Sequence, residues 1–283
     1  MQRRPVPELA LRVISAAVML VLVLGATFAG GAWFVAFCAI AVVFVAMEFS
    51  ALTRLSLPKG FAPAILAFSV ITIAAWFLAG PRVAFLLFLA EFGALALAQA
   101  ATHGKLWAAS GLAYSVLPFL ALSLLRGDSE KGLHAILFVF AVVFAADTFA
   151  YFAGRAIGGP KLAPAISPNK TWSGFIGGLI GSVVVALILL RIFGYSPGLL
   201  PIGFALGISF VSQIGDLFES WIKRRFGKKD SGAMIPGHGG LLDRIDGLIF
   251  ASVAAWVAAI AAGGDAFLPG ASGAALIDAM VMP

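Results

Sequence analysis

Residues 13–47 read VISAAVMLVLVLGATFAGGAWFVAFCAIAVVFVAM, without an Asp, Glu, Lys or Arg. A helix needs roughly 20 apolar residues to cross the ~30 Å hydrocarbon core of a bilayer. The run is too long for one span, and Gly30-Gly31 is its natural break. Further charge-free runs cover 60–81, 106–125, 171–190, 192–215 and 247–264. Of the chain's 283 residues, 61% are apolar and 11% charged, against about 25% charged in a soluble domain. This composition excludes disorder, a nucleic-acid-binding domain and an ordinary water-soluble enzyme. The fold class is all-α, a polytopic integral membrane protein.

Cutting at Gly, Pro and charged residues predicts nine spans, about 9–28, 32–52, 62–80, 83–101, 107–125, 133–153, 173–193, 199–222 and 245–262. No periodicity argues for strands. Residues 1–130, with spans one to five, form an N-terminal scaffold, and residues 131–283 carry spans six to nine with the polar loops. Arg3-Arg4 before the apolar run resembles a signal peptide, but the run exceeds a signal's short core, so a retained first span is expected. Cys38 stands alone, which leaves no disulfide and no Cys-based metal site.

With a cytoplasmic N-terminus, fifteen of the nineteen basic residues fall on the cytoplasmic side, Arg54 and Lys105 among them. Arg82, Arg126, Lys131 and Arg191 fall opposite, as the positive-inside rule favours. The expected location is the cell inner (cytoplasmic) membrane, multi-pass, with the polar chemistry on the cytoplasmic face.

That chemistry gathers in two stretches, Asp147 to Trp172 and Asp216 to Asp246. Asp216 and Glu219 lie one turn apart near the end of span eight, and Lys223 continues their face. Asp243 and Asp246 repeat the spacing at the start of span nine. Carboxylates converging from two helices make an oxygen-rich site suited to Mg²⁺, completed by water and substrate phosphates. N-terminal capping would explain Asp243 and Asp246 but not Asp216. The loop between is basic and Gly-rich, as a polyphosphate requires, since glycines let N–H groups approach phosphate closely. A positive-inside loop with turn glycines is the simpler alternative. In the first stretch, Gly154 to Lys161 fails as a phosphate loop, because Leu162 stands where Ser or Thr is required. Lys170, just before a helix, is better placed to meet phosphate.

Other features read as packing. Gly174-x-x-x-Gly178 and Gly177-x-x-x-Gly181 allow close helix approach, within the chain or in a homodimer. His103 and His134 sit at span ends without evident partners and are expected to be structural. Glu91, inside span four, is expected to hydrogen-bond into a cavity.

From Ser220 to Asp246 the sequence resembles the signature of the phosphatidate cytidylyltransferases, also called CDP-diacylglycerol synthases. That signature runs Ser-x-apolar-Lys-Arg, four residues, Lys-Asp, then Pro-x-His-Gly-Gly-apolar-x-Asp-Arg-apolar-Asp. It is filled by Ser220, Ile222, Lys223, Arg224, Lys229, Asp230, Pro236, His238, Gly239, Gly240, Leu241, Asp243, Arg244, Ile245 and Asp246. Asp147-Thr148, Gly154-Arg155 and Ser167-Pro168-Asn169-Lys170-Thr171-Trp172 also look like the family's. Ser173, where Glu is expected, and Gly247, where Ser is expected, depart from it.

The resemblance implies cytidylyl transfer from CTP to phosphatidic acid, giving CDP-diacylglycerol and pyrophosphate, with Mg²⁺ and a second cation. It implies a catalytic set of Asp216, Lys223, Asp243 and Asp246, with the three aspartates on metal. The substrate-binding set is Asp147, Arg155, Lys170, Ser220, Lys223, Arg224, His238 and Arg244. His238 reads as a phosphate donor or loop anchor, because a phosphomonoester with a second pKa near ~6 needs no general base. The partners are CTP, phosphatidic acid and membrane lipids, with no nucleic acid. A CDP-alcohol phosphotransferase would need an Asp-Gly-x-x-Ala-Arg motif, which the chain lacks. An ion-coupled transporter would use similar carboxylates but calls for a midplane site and repeated halves.

Overall fold

The computed structural model describes residues 8–53, 59–102 and 105–281; Arg3, Arg4, Arg54 and His103, used above, lie outside the described residues. The helices are α1 (Glu8–Ala29), α2 (Gly31–Thr53), α3 (Phe61–Ala79), α4 (Pro81–Thr102), α5 (Trp107–Arg126), α6 (Glu130–Ile157), α7 (Trp172–Ile192), α8 (Leu200–Arg225), α9 (Leu242–Ala261) and α10 (Ala271–Met280). Strands β1 (Lys161–Ala163) and β2 (Ser167–Thr171) lie between α6 and α7. Among the described residues, the nine helices α1 to α9 are long and apolar enough to cross a membrane. The chain is an all-α, multi-pass membrane protein with the nine spans expected.

Helix ends differ from the hydropathy cuts where a helix extends beyond its apolar stretch. α6 covers Glu130–Ile157 rather than 133–153. Ser129 caps it by accepting from Gly132 N at 3.0 Å, and Glu130 in the first turn and Arg155 in the last suit the helix dipole. α8 likewise runs on through Lys223, Arg224 and Arg225 in its last turn.

The expectation of no strands is corrected. β1 and β2 form an antiparallel hairpin with Lys161 opposite Thr171 and Ala163 opposite Ser167. The strands are three and five residues long and mostly polar, so they carry no alternation of apolar residues for a sequence pattern to reveal. The tail after Gly263 holds α10, which buries Leu276 and Ile277 and pairs Asp278 with Lys131. Lys131 and the tail therefore share one end of the bundle.

α5 is the central helix, buried along most of its length, and packs on α2, α3 and α4 on one side and on α6, α9 and α10 on the other. α1 is peripheral and presents its apolar side chains outward, as lipid contact requires. The glycines of α7 are used within the chain. A Cβ on Gly178 would stand 2.8 Å from the Ala146 carbonyl oxygen and one on Gly174 2.7 Å from that of Ala150, so α7 lies directly on the α6 backbone.

His134 is not without partners. Its Nδ1 lies 2.9 Å from the Tyr195 hydroxyl and its ring stacks 4.0 Å from Phe193, because the chain after α7 folds back over the start of α6. Glu91 is buried and accepts from Thr72 Oγ1 at 2.6 Å, which satisfies it within the α3–α4 pair.

Candidate active site

α6 carries Asp147, Tyr151 and Arg155 at successive four-residue intervals, hence on one face. Arg155 Nη1 donates to the Tyr151 hydroxyl at 2.8 Å. The chain then turns at Gly158-Gly159 into the hairpin, which presents Lys161, Asn169 and Lys170. Thr171 ends the hairpin and caps α7, accepting from Gly174 N at 3.1 Å. Ser173, one of the departures from the signature, donates to the Gly158 carbonyl and so ties the start of α7 to the end of α6.

These elements and α8 enclose a cavity of about 740 Å³. Arg155, Lys161 and Lys170 supply its positive charge, Asp147 and Asp216 its negative charge, and Asn169 and Gln213 neutral polar groups. Lys170 is ion-paired with Asp216. The hairpin thus meets α8 across the cavity, and Asp147 lies within electrostatic reach of both partners.

A second cluster forms where α8 meets α9. Lys223 Nζ lies 2.6 Å from Glu219 and 2.7 Å from Asp243, all three side chains being largely buried. Asp243 also accepts from Ser231 Oγ at 2.9 Å, Ser231 N at 3.0 Å and Gly240 N at 3.0 Å. Asp243 thus ties the loop amides of Ser231 and Gly240 to the first turn of α9, and it makes no cap to that helix's own amides. Asp246 is different. It accepts only locally, from Gly247 N at 2.8 Å, and lies within electrostatic reach of Asp216, Glu219 and Asp147.

The other assigned residues brace the 226–241 loop. Arg224 donates to the carbonyls of Ile166 and Lys228 at 3.4 and 3.1 Å, joining hairpin to loop. Arg244 donates twice to the His238 carbonyl, at 3.1 and 2.8 Å. His238 Nδ1 lies 2.8 Å from Ser15 Oγ of α1. Ser220 is half-buried on α8 and does not line the cavity. Asp147, Arg155, Lys170 and Asp216 therefore share the cavity, while Lys223, Arg224, Asp243, Arg244 and His238 knit the loop beside it.

No group of three or more His, Cys, Asp or Glu side chains among the described residues is arranged to hold a metal ion as it stands. The donor chemistry around Asp246 nevertheless fits a hard divalent cation. Asp147, Asp216 and Asp246 crowd negative charge into one region, and carboxylate oxygens are what Mg²⁺ selects. Among the described residues, the buried side-chain polar atoms without a partner include the Tyr114 and Ser212 hydroxyls and Glu219 Oε1, while Glu219 Oε2 is ion-paired with Lys223. All three border this region. Tyr114 feels the charges of Glu219, Asp246 and Asp216, and the Ser212 hydroxyl stands where a Cβ on Gly247 would project. Buried polar atoms left unpaired point to a solvent or ion constituent at that place.

Sequence reasoning did not find Gln213, Ser231, Ser15 or Glu48. Glu48 reaches the same cluster from α2, accepting from Leu241 N at 2.9 Å and Leu242 N at 2.8 Å. A lone acid in an apolar span was the available signal.

The model of the cytidylyltransferase family matches residues 10–261 of this chain. The chain belongs to that family. The match takes in both polar stretches, the cavity and the signature that carried the resemblance. A phosphatidate cytidylyltransferase of Brucella abortus is 55% identical over 149 residues, 53% of this chain and 55% of that protein. One from Staphylococcus saprophyticus is 47% identical over 140 residues, 49% of this chain and 53% of that protein. The chain spans about half the length of these relatives in the matched stretches. As a cytidylyltransferase-family member, it has a cavity lined by Arg155, Lys161, Lys170, Asp147 and Asp216.

Proposed function

We propose that this protein is a phosphatidate cytidylyltransferase, transferring the cytidylyl group of CTP to phosphatidic acid at the cytoplasmic face of the inner membrane. The observation that carries this is the cavity between α6, the hairpin, α7 and α8, with three cations facing two carboxylates. The names of the relatives agree with it. In the reaction a lipid phosphate oxygen bonds to the α-phosphorus of CTP as the bond from that phosphorus to the β-phosphate bridge breaks, and pyrophosphate leaves. The nucleophile is already an oxyanion near neutral pH, so the protein's task is to position the reactants and stabilise charge.

Arg155, Lys161 and Lys170 bind phosphate oxygens from the α6 and hairpin walls. Lys223 holds Asp243 and Glu219 in place and contributes positive charge beside them. Arg224, Arg244 and His238 brace the 226–241 loop beside the cavity. Asp216 and Asp246 are the strongest claimants to Mg²⁺, with Asp147 nearby; Asp243 would have to exchange its bonds to Lys223 and Ser231 to join them. When bound, the cation would neutralise the phosphates and favour departure of pyrophosphate. Exposed Phe152, Ile157, Trp172 and Ile176 on α6 and α7 offer the acyl chains an apolar flank.

The test is release of pyrophosphate from radiolabelled CTP by the purified protein in mixed micelles. Release should require both phosphatidic acid and Mg²⁺, and CDP-diacylglycerol should appear in equal amount. Release that ignores the lipid, or none with every component present, would overturn the proposal.

A further inference from the structure

We infer that Glu48, in the second span, is a positioning residue that fixes the start of α9 and with it the placement of Asp243 and Asp246. Helix α9 begins at Leu242, and Leu241 at its cap position has no side chain able to accept a hydrogen bond. The cap comes instead from α2. Both oxygens of the Glu48 carboxylate, 4% exposed, are engaged: Oε1 accepts from Leu241 N at 2.9 Å and Oε2 from Leu242 N at 2.8 Å. A negative charge at this point also faces the positive end of the α9 dipole.

The contact extends into the loop. Ser231 Oγ lies 3.4 Å from Glu48 Oε2 and 2.9 Å from Asp243 Oδ2. A hydroxyl has one proton to donate, so the shorter contact to Asp243 holds it and Glu48 confines the oxygen from the other side. The loop glycines leave the space this requires. A Cβ on Gly240 would stand 2.8 and 2.9 Å from the two Glu48 oxygens, and one on Gly232 2.9 Å from Oε1. Glu48 is the only Asp, Glu, Lys or Arg of α2, and an acid inside a span is costly unless it has partners of this kind. It does not line the cavity, so it acts through α9 and not on substrate.

The activity arm of the test rests on the cytidylyl-transfer reading; the exchange arm does not. Full-length wild type, Glu48→Gln and Glu48→Ala are purified and compared by CTP turnover and by amide hydrogen exchange. Glu48→Ala should lower kcat about tenfold or more with KM for CTP within about threefold, because charged hydrogen bonds that orient groups, not substrate contacts, are lost. Exchange should quicken in 231–246 while α5 stays protected. Glu48→Gln keeps one acceptor oxygen and should fall between, which keeps the inference testable should the alanine variant fail to fold. Wild-type exchange across 231–246 in the glutamine variant, or protection lost equally in α5, would overturn it. A wild-type protein that turns over no CTP yet shows the quickened exchange in its variants would support the cap and count against the reaction alone.

Discussion

The ammonium of Lys223 lies 2.7 Å from Asp243, one residue at the end of α8 and the other in the first turn of α9. The same ammonium lies 2.6 Å from Glu219. Read from sequence, Lys223 neutralises phosphate; in the fold it first neutralises two carboxylates of its own chain. Removing it would leave both without a counter-charge, and breaking a buried pair this way costs about 3 kcal/mol or more. Lys223→Ala should therefore lower the thermal midpoint in detergent as well as abolish turnover, and Lys223→Arg should recover much of the midpoint. Thermal unfolding followed by size-exclusion recovery checks this; an unchanged midpoint for Lys223→Ala would mean the pairing contributes nothing to stability.

The aspartates should separate by behaviour. Asp216→Asn and Asp246→Asn remove charge from the crowded region and leave the buried Lys223–Asp243 pair intact, Asp216→Asn freeing only the more exposed Lys170, so activity should collapse and the Mg²⁺ concentration needed for residual turnover should rise. Asp243→Asn unpairs Lys223 and weakens the bonds from Ser231 and Gly240, so loss of stability should accompany its loss of activity. Glu219→Gln should be tolerated better than any of the three. Turnover against Mg²⁺ concentration, measured beside thermal midpoints, distinguishes the classes. A wild-type Mg²⁺ profile in both Asp216→Asn and Asp246→Asn would remove the metal from this place.

Lys170 and Asp216 pair across the cavity. An incoming phosphate competes with Asp216 for that ammonium, so Lys170→Ala should raise KM for CTP and also lower kcat. The loss should reach about 2 kcal/mol or more in kcat/KM, typical for a charged hydrogen bond in a desolvated site. Steady-state kinetics with CTP varied at saturating lipid provides the measurement. Unaltered kinetics would assign Lys170 to the membrane surface.

Orientation is open to direct test. Cysteines placed at Lys105 and Lys228 should react with a membrane-impermeant thiol reagent from the cytoplasmic side, and one at Lys131 from the opposite side. The buried Cys38 is replaced first. Because Lys131 pairs with Asp278, a cysteine at 278 should label with Lys131→Cys and not with Lys228→Cys. Cytoplasmic labelling at 131 would invert the bundle.

The nine spans were legible because bilayer thickness imposes length and composition on each helix separately, as in residues 13–47. The acidic and basic site residues were legible because charges within so apolar a chain need a reason. What stayed hidden depends on main-chain atoms. The hairpin at 161–171 is held by backbone pairing between polar residues, and no side-chain pattern announces it. The bonds that Asp243 accepts from the Ser231 and Gly240 amides leave no trace in residue identity. The 2.8 Å contact of His238 with Ser15, on a helix far away in sequence, is hidden in the same way.

The bonds from Leu241 and Leu242 to Glu48 join residues 193 and 194 positions apart, which has a bearing on biogenesis. The second span is synthesised and inserted long before the ninth emerges from the ribosome, so its carboxylate must wait. Translocon-based scales put an acid in the middle of a span at about 2.5–3.5 kcal/mol, and less towards its end, where Glu48 stands. A chain truncated before residue 241 would retain an uncovered acid in an otherwise apolar segment, so the second span is fully compatible with the bilayer only once the ninth is in place.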